Sequence, residues 1–163
     1  MPIDKLFEQA RAIAAMLIAK NQTIAIAESS SGGLISAALL AVPGASAYYL
    51  GGGVIYTPRA RHRLLDLTRE DMCGLQSATE PYAVLLAETV RQQFSASWGI
   101  AETGAAGPTG NPYGNAAGHC CFAVAGVTTV SQTLETRRSD RLKNMVAFAG
   151  AALTLLEQRM ASS

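Results

Sequence analysis

Cysteine is scarce in this chain: Cys73, Cys120 and Cys121 are the only three, and no pair carries the two-residue spacing of a zinc or redox motif. An odd count without that spacing gives neither a disulfide framework nor a cysteine-ligated zinc site, so all three are read as small buried hydrophobes. An excess of one charge is also lacking. Thirteen Lys plus Arg stand against twelve Asp plus Glu, and no global field selects nucleic acid or an anionic membrane as a partner. No apolar run reaches the roughly 18 residues needed to span a bilayer, and Met1-Pro2-Ile3-Asp4-Lys5 lacks the layout of a signal peptide. A cytoplasmic location is expected. Repeats and linkers are missing too, and 163 residues suit one domain with its own core.

What stands out instead is a hydroxyl cluster. Ser29-Ser30-Ser31-Gly32-Gly33 directly follows the apolar run Thr23-Ile24-Ala25-Ile26-Ala27 and precedes a helical pattern over Leu34–Ala41. Serines at the carboxyl end of a strand, opening a helix, can present a nucleophile and backbone N–H groups to an anion. They can equally be N-caps.

The remaining pattern predicts a helix over 3–20, a strand over 23–27 and a helix over 31–41, stopped by Val42-Pro43-Gly44. A strand at 53–56 completes a βαβ unit, which favours parallel pairing. Short helices at 58–67 and 69–74 and a long one at 80–94 come next. Strands follow at 98–101, 119–125 and 127–134, the last two linked around Gly126 as an antiparallel hairpin. Ser139 or Asp140 caps a final helix to about Met160. The order β-α-β-α-α-β-β-β-α implies an α/β fold, a three-layer α/β/α sandwich around a mixed sheet. In a strand, the adjacent Cys120 and Cys121 must point to opposite faces.

Eleven of the fifteen glycines, Gly32, Gly33, Gly104 and Gly107 among them, cluster in loops beside predicted strand ends. Such loops let amides approach a phosphate or carboxylate, or simply turn tightly. Seven of the thirteen positive charges fall in two short runs, Arg59/Arg61/Arg63 and Arg137/Arg138/Arg141/Lys143. These runs either flank the glycine loops and bind an anion, or are solvated surface.

Ala27-Glu28-Ser29-Ser30-Ser31-Gly32-Gly33, Val42-Pro43-Gly44-Ala45-Ser46-Ala47-Tyr48, Val54-Ile55-Tyr56 and Thr103-Gly104-Ala105-Ala106-Gly107-Pro108 together resemble the C-terminal domain of CinA, the competence-damage-inducible protein. This family includes the nicotinamide-nucleotide amidohydrolases, and the resemblance runs in order along nearly the whole chain. It implies hydrolysis of the carboxamide of nicotinamide mononucleotide to nicotinic acid mononucleotide and ammonia, by a serine–lysine mechanism with no metal and no cofactor. It further implies Ser29 as nucleophile, with Tyr56 and Thr103 beside it in the catalytic group. Arg141 becomes a phosphate or transition-state contact, and Ser30, Ser31, Gly32, Gly33, Gly104 and Gly107 become substrate-binding residues. The expected partner is a small-molecule nucleotide, nicotinamide mononucleotide or a related anion, bound by a homo-oligomer.

The departures from the family pattern fall on charged positions. Arg61 stands where the resemblance places the catalytic lysine, and a guanidinium cannot give up its proton to serve as a base near neutral pH. Ser30-Ser31 replaces Cys-Thr, Gly51 replaces an arginine, and Asn115-Ala116 replaces Lys-Pro. Neither His62, next to Arg61 on a helix, nor His119, at a strand start, is an evident substitute base. The resemblance therefore implies either an impaired amidohydrolase using Ser29, Tyr56, Thr103 and the Arg61 charge, or a silent relative that keeps a nucleotide pocket. In both cases Ser29, Tyr56, Arg61, Thr103 and Arg141 should meet in one pocket, walled by loops 30–33 and 104–110.

Overall fold

The computed structural model describes residues 1–163. A five-stranded sheet in the order β2-β1-β3-β4-β5 lies between two helical layers. Its strands are β1 (Ile24–Glu28), β2 (Tyr49–Val54), β3 (Trp98–Ala105), β4 (His119–Ala125) and β5 (Thr129–Glu135). β1 runs parallel to both β2 and β3, while β3, β4 and β5 form an antiparallel meander.

One face carries Ile24, Ile26, Ile100, Cys120, Phe122 and Val124 against α1 (Ile3–Ala19), α2 (Leu34–Leu40) and α5 (Arg141–Ala161). The other carries Ala25, Ala27, Ala101, Cys121, Ala123 and Ala125, and it takes α3 (Pro58–Leu65) and α4 (Glu80–Phe94). The asymmetry decides the spacing of the layers, because an alanine face lets α4 sit close. At Gly99 a Cβ would come within 2.3 Å of the Ala87 carbonyl oxygen. Cys120 and Cys121 do point to opposite faces, and burial pushes both thiols up, Cys120 most strongly. Cys73 corrects the expectation of burial: it follows the 3-10 turn Glu70–Met72 in the loop between α3 and α4 and is exposed.

The helix expected over 69–74 is only the 3-10 turn Glu70–Met72, and the last strand starts at Thr129 rather than 127. Three boundaries beside the site also move, each for a local reason. The serines precede α2 rather than opening it, since Gly32 and Gly33 have φ of 67° and 100° and form the turn. β3 runs to Ala105, because Glu102, Thr103 and Gly104 pair with Phe122, Cys121 and Cys120. β2 is the glycine run itself. Gly52 has φ of 144° and packs so closely on β1 that a Cβ would lie 1.8 Å from the Ile26 carbonyl oxygen. Gly52→Ala is expected to destabilise the chain by about 3 kcal/mol, combining backbone strain and overpacking. Thermal unfolding should show a Tm lower by roughly 6–12 °C. No helix is long and apolar enough to cross a membrane.

Candidate active site

The two crossovers that flank β1 run on opposite faces of the sheet: α2 lies with α1 and α5, whereas α3 and α4 lie on the other side. In open α/β sheets such a switch opens a crevice beyond the strand carboxyl ends. Ser29 immediately follows β1 at this point.

Two buried carboxylates hold the serine loop. Glu28 accepts hydrogen bonds from the Ser31 hydroxyl at 2.7 Å and from the amides of Gly33, Ile35 and Ser36 at 2.9, 3.1 and 2.9 Å, closing the N-terminus of α2. Glu102 on β3 accepts from the Ser29 amide at 3.1 Å, the Ser31 amide at 2.7 Å and the Ser30 hydroxyl. Burial raises the Glu102 carboxyl above its ordinary value, outweighing hydrogen bonds that act the other way. Ser30 and Ser31 are thus committed to fixing the loop. The Ser29 hydroxyl and the Ser30 amide have no hydrogen-bond partner in the protein.

Ser29 lines a cleft of about 290 Å³ together with Tyr56, Arg61, Tyr82, Thr103 and Gly104, roofed by Asn111, Pro112 and Tyr113. Each side chain has a clear anchor. The Thr103 hydroxyl accepts the Ala78 amide at 3.0 Å. Thr57 caps α3, its hydroxyl accepting the Ala60 amide at 3.0 Å, and this sets the start of the helix that carries Arg61. The Arg61 guanidinium carbon lies 5.9 Å from the Tyr82 ring centroid. Its Nη1 is 3.5 Å from the Tyr82 hydroxyl, and its buried Nε has no partner. Arg141, in the first turn of α5, donates to the Gly107 carbonyl at 2.5 Å and to the Tyr56 hydroxyl at 3.0 Å. It reaches the cleft through Tyr56 rather than lining it.

Loop 30–33 lies behind Ser29 instead of walling the cleft: Gly32 faces Met145, and Gly33 donates to Glu28. Of the loop 104–110, also expected as a wall, only Gly104 lines the cleft; Gly107, with φ of 105°, lies outside it as the acceptor for Arg141. Asn115 bonds with Asn111 inside its own loop at 2.9 and 3.0 Å and helps set the roof. Neither histidine enters the cleft. His62 is exposed on α3 beside the cleft without lining it, and His119 is tied to Glu135 and, at 2.8 Å, to the Ala78 carbonyl. The ionisable side chains lining the cleft are therefore Tyr56, Arg61, Tyr82 and Tyr113, with no lysine, histidine or carboxylate among them.

Glu102 and Ala78 were missed by the sequence reading. A glutamate in the apolar stretch Ile100-Ala101-Glu102 had to find buried donors, and that was the available signal for it. Ala78 bears no chemistry in its side chain, and only its backbone position in space reveals it.

Comparison with known proteins places the chain in a family. The family model of the CinA C-terminal domain matches residues 7–160. A CinA-like protein of Chlorobium phaeobacteroides (strain BS1) is 34% identical over 92% of this chain and 37% of its own length. A putative competence-damage inducible protein of Desulforamulus reducens is 41% identical over 68% of this chain and 27% of its own. The chain thus spans about a third of the length of these curated relatives. A CinA superfamily protein of Escherichia coli superposes with a TM-score of 0.88 at 25% identity, covering 98% of this chain and 92% of that one. One from Enterobacter cloacae does so with a TM-score of 0.87 at 28% identity, covering 95% and 92%. A match over nearly the whole chain, in sequence and in fold, makes this protein a member of the CinA C-terminal domain family.

Proposed function

We propose that the cleft is a nucleotide-carboxamide site of the nicotinamide-nucleotide amidohydrolase type, impaired in turnover by Arg61. The observation that carries this reading is the Ser29 hydroxyl. It stands in the cleft, on a loop held rigidly by two buried glutamates, beside a guanidinium and with no base in hydrogen-bond reach. In the reaction, Ser29 Oγ bonds to the carboxamide carbon while its proton passes to a base, and the base returns that proton to the nitrogen as the C–N bond breaks to release ammonia. Water hydrolyses the resulting ester, giving the carboxylate and restoring the serine. The unpaired Ser30 amide, next to the nucleophile, is the candidate donor to the developing oxyanion. Arg61 supplies charge but no proton acceptor.

A second reading follows from the same absence of a base: a silent relative whose cleft binds a nicotinamide nucleotide without turnover. Calorimetric titration with nicotinamide mononucleotide, run beside an ammonia assay, separates the two. Binding with slow ammonia release that Ser29→Ala abolishes supports the impaired enzyme. Binding with no release in either protein supports the silent relative, and no binding at all overturns the substrate class. Action in the cytoplasm as a homo-oligomer belongs to the same proposal.

A further inference from the structure

A groove of about 900 Å³ opens directly from the cleft, between α3 and the segment 67–77. Arg61 and Tyr113 line both cavities. The groove is lined by Arg59, Arg61, Arg63 and Arg69 together with His62, and no carboxylate lines it. None of the four guanidinium groups forms an ion pair. Their sole side-chain hydrogen bond is the 3.5 Å contact from Arg61 to Tyr82. On the facing segment neither Glu70 nor Asp71 lines the groove, and Asp71 accepts from the Thr68 amide and hydroxyl at 2.7 and 2.8 Å.

Four unpaired guanidinium groups converging on one concavity are unusual on a chain whose net charge is only +1. Mutual repulsion is avoided when an anion sits among them, and the fork geometry of arginine suits phosphate oxygens. The cleft alone, at about 290 Å³, lies at the lower limit of small-molecule sites, which run from roughly 300 to 1,000 Å³. The groove alone is about three times as large as the cleft.

We propose that this groove is a second anion subsite, which holds the pyrophosphate of a dinucleotide whose carboxamide-bearing end enters the cleft past Arg61 and Tyr113. The identity of the group in the cleft rests on the reading of the cleft given above; the affinity of the groove for pyrophosphate does not. The chain is thereby adapted to a larger, pyrophosphate-bridged ligand rather than to a mononucleotide alone.

The test is calorimetric titration of the native chain, of Arg59→Ala/Arg69→Ala and of Arg11→Ala, a control at an exposed position of α1, with three probes: inorganic pyrophosphate, nicotinamide mononucleotide and nicotinamide adenine dinucleotide. Both substituted groove arginines are exposed, so circular dichroism should confirm an unchanged fold. Removing two charge-assisted contacts should weaken pyrophosphate and dinucleotide binding by about tenfold or more. Mononucleotide binding should change less than about twofold, with Arg11→Ala like the native chain. Equal pyrophosphate affinity in the native and groove-variant chains, or no pyrophosphate binding by the native chain, overturns the subsite. So does an equal loss for mononucleotide and dinucleotide. Pyrophosphate binding lost in the groove variant, with neither nucleotide bound by any form, upholds the groove as an anion site and overturns the reading of the cleft.

Discussion

Replacing Arg61 by lysine is expected to raise ammonia release from nicotinamide mononucleotide by about a hundred- to ten-thousand-fold, the usual worth of a positioned general base. Position 61 is already placed for the task, on the first turns of an N-capped helix and beside the Tyr82 ring, in a cleft shared with Ser29. A guanidinium carries donors and no acceptor, so the Ser29 proton has no base to take it among the lining side chains. A lysine amine can be neutral, and its fraction of base grows with pH. The rate of Arg61→Lys should therefore rise as pH climbs through the lysine pKa, whereas the native chain should lack that limb. Affinity for the nucleotide should change little, since the positive charge is retained. A native chain already fast, with no gain in the variant, would mean that another group takes the proton.

Glu102→Ala should be the most damaging single change to the fold around the site. It strips the acceptor from two amides and a hydroxyl of the serine loop, and orphaned buried donors cost about 1–3 kcal/mol each. The expected loss is about 3–6 kcal/mol, seen as a Tm lower by roughly 6–24 °C. Glu102→Gln should be far milder. Its carbonyl can accept both amides while its NH₂ donates to the Ser30 oxygen.

The pH dependence follows from the sign of the shift. Burial raises the Glu102 carboxyl in the folded chain above its ordinary value of 4.5, so the folded state holds the proton more tightly than the unfolded one. The stability that this contributes is complete below about pH 4.5 and is lost as pH rises through the raised folded value. Melting curves for the native chain should show that decline, and Glu102→Gln should lack it. An equal decline in both would place its origin elsewhere.

Particular residues show how far the sequence could be read. The strand–serine–helix order around Ser29 was legible because apolar period and turn residues change sharply there. The opposite facing of Cys120 and Cys121 followed from pleat geometry alone. β2 was displaced in the reading because its three glycines carry no strand signal; Gly52 is explained by its close approach to β1 at Ile26, and Gly51 by the Phe94 ring against it, both tertiary facts. The bonds from Glu102 to the loop after β1 join residues more than seventy positions apart, and no local pattern encodes that pairing. Loop 30–33 was expected in the cleft wall because glycine and serine suit anion binding, yet apart from the Ser30 amide its donors are taken up inside the protein, by Glu28, Glu102 and the Ser29 carbonyl. The arginines of α3 were noticed as a run, but their shared groove with Arg69 depends on how segment 67–77 folds back.

The central claim, that Ser29 is the nucleophile of a carboxamide site disabled by Arg61, is tested most directly by introducing Ser29→Ala into the Arg61→Lys background and measuring ammonia release from nicotinamide mononucleotide. Fast release by Arg61→Lys that falls back to the background rate when Ser29 is also removed is the predicted result. Release that is unchanged without Ser29, or that never rises with lysine at position 61, contradicts it.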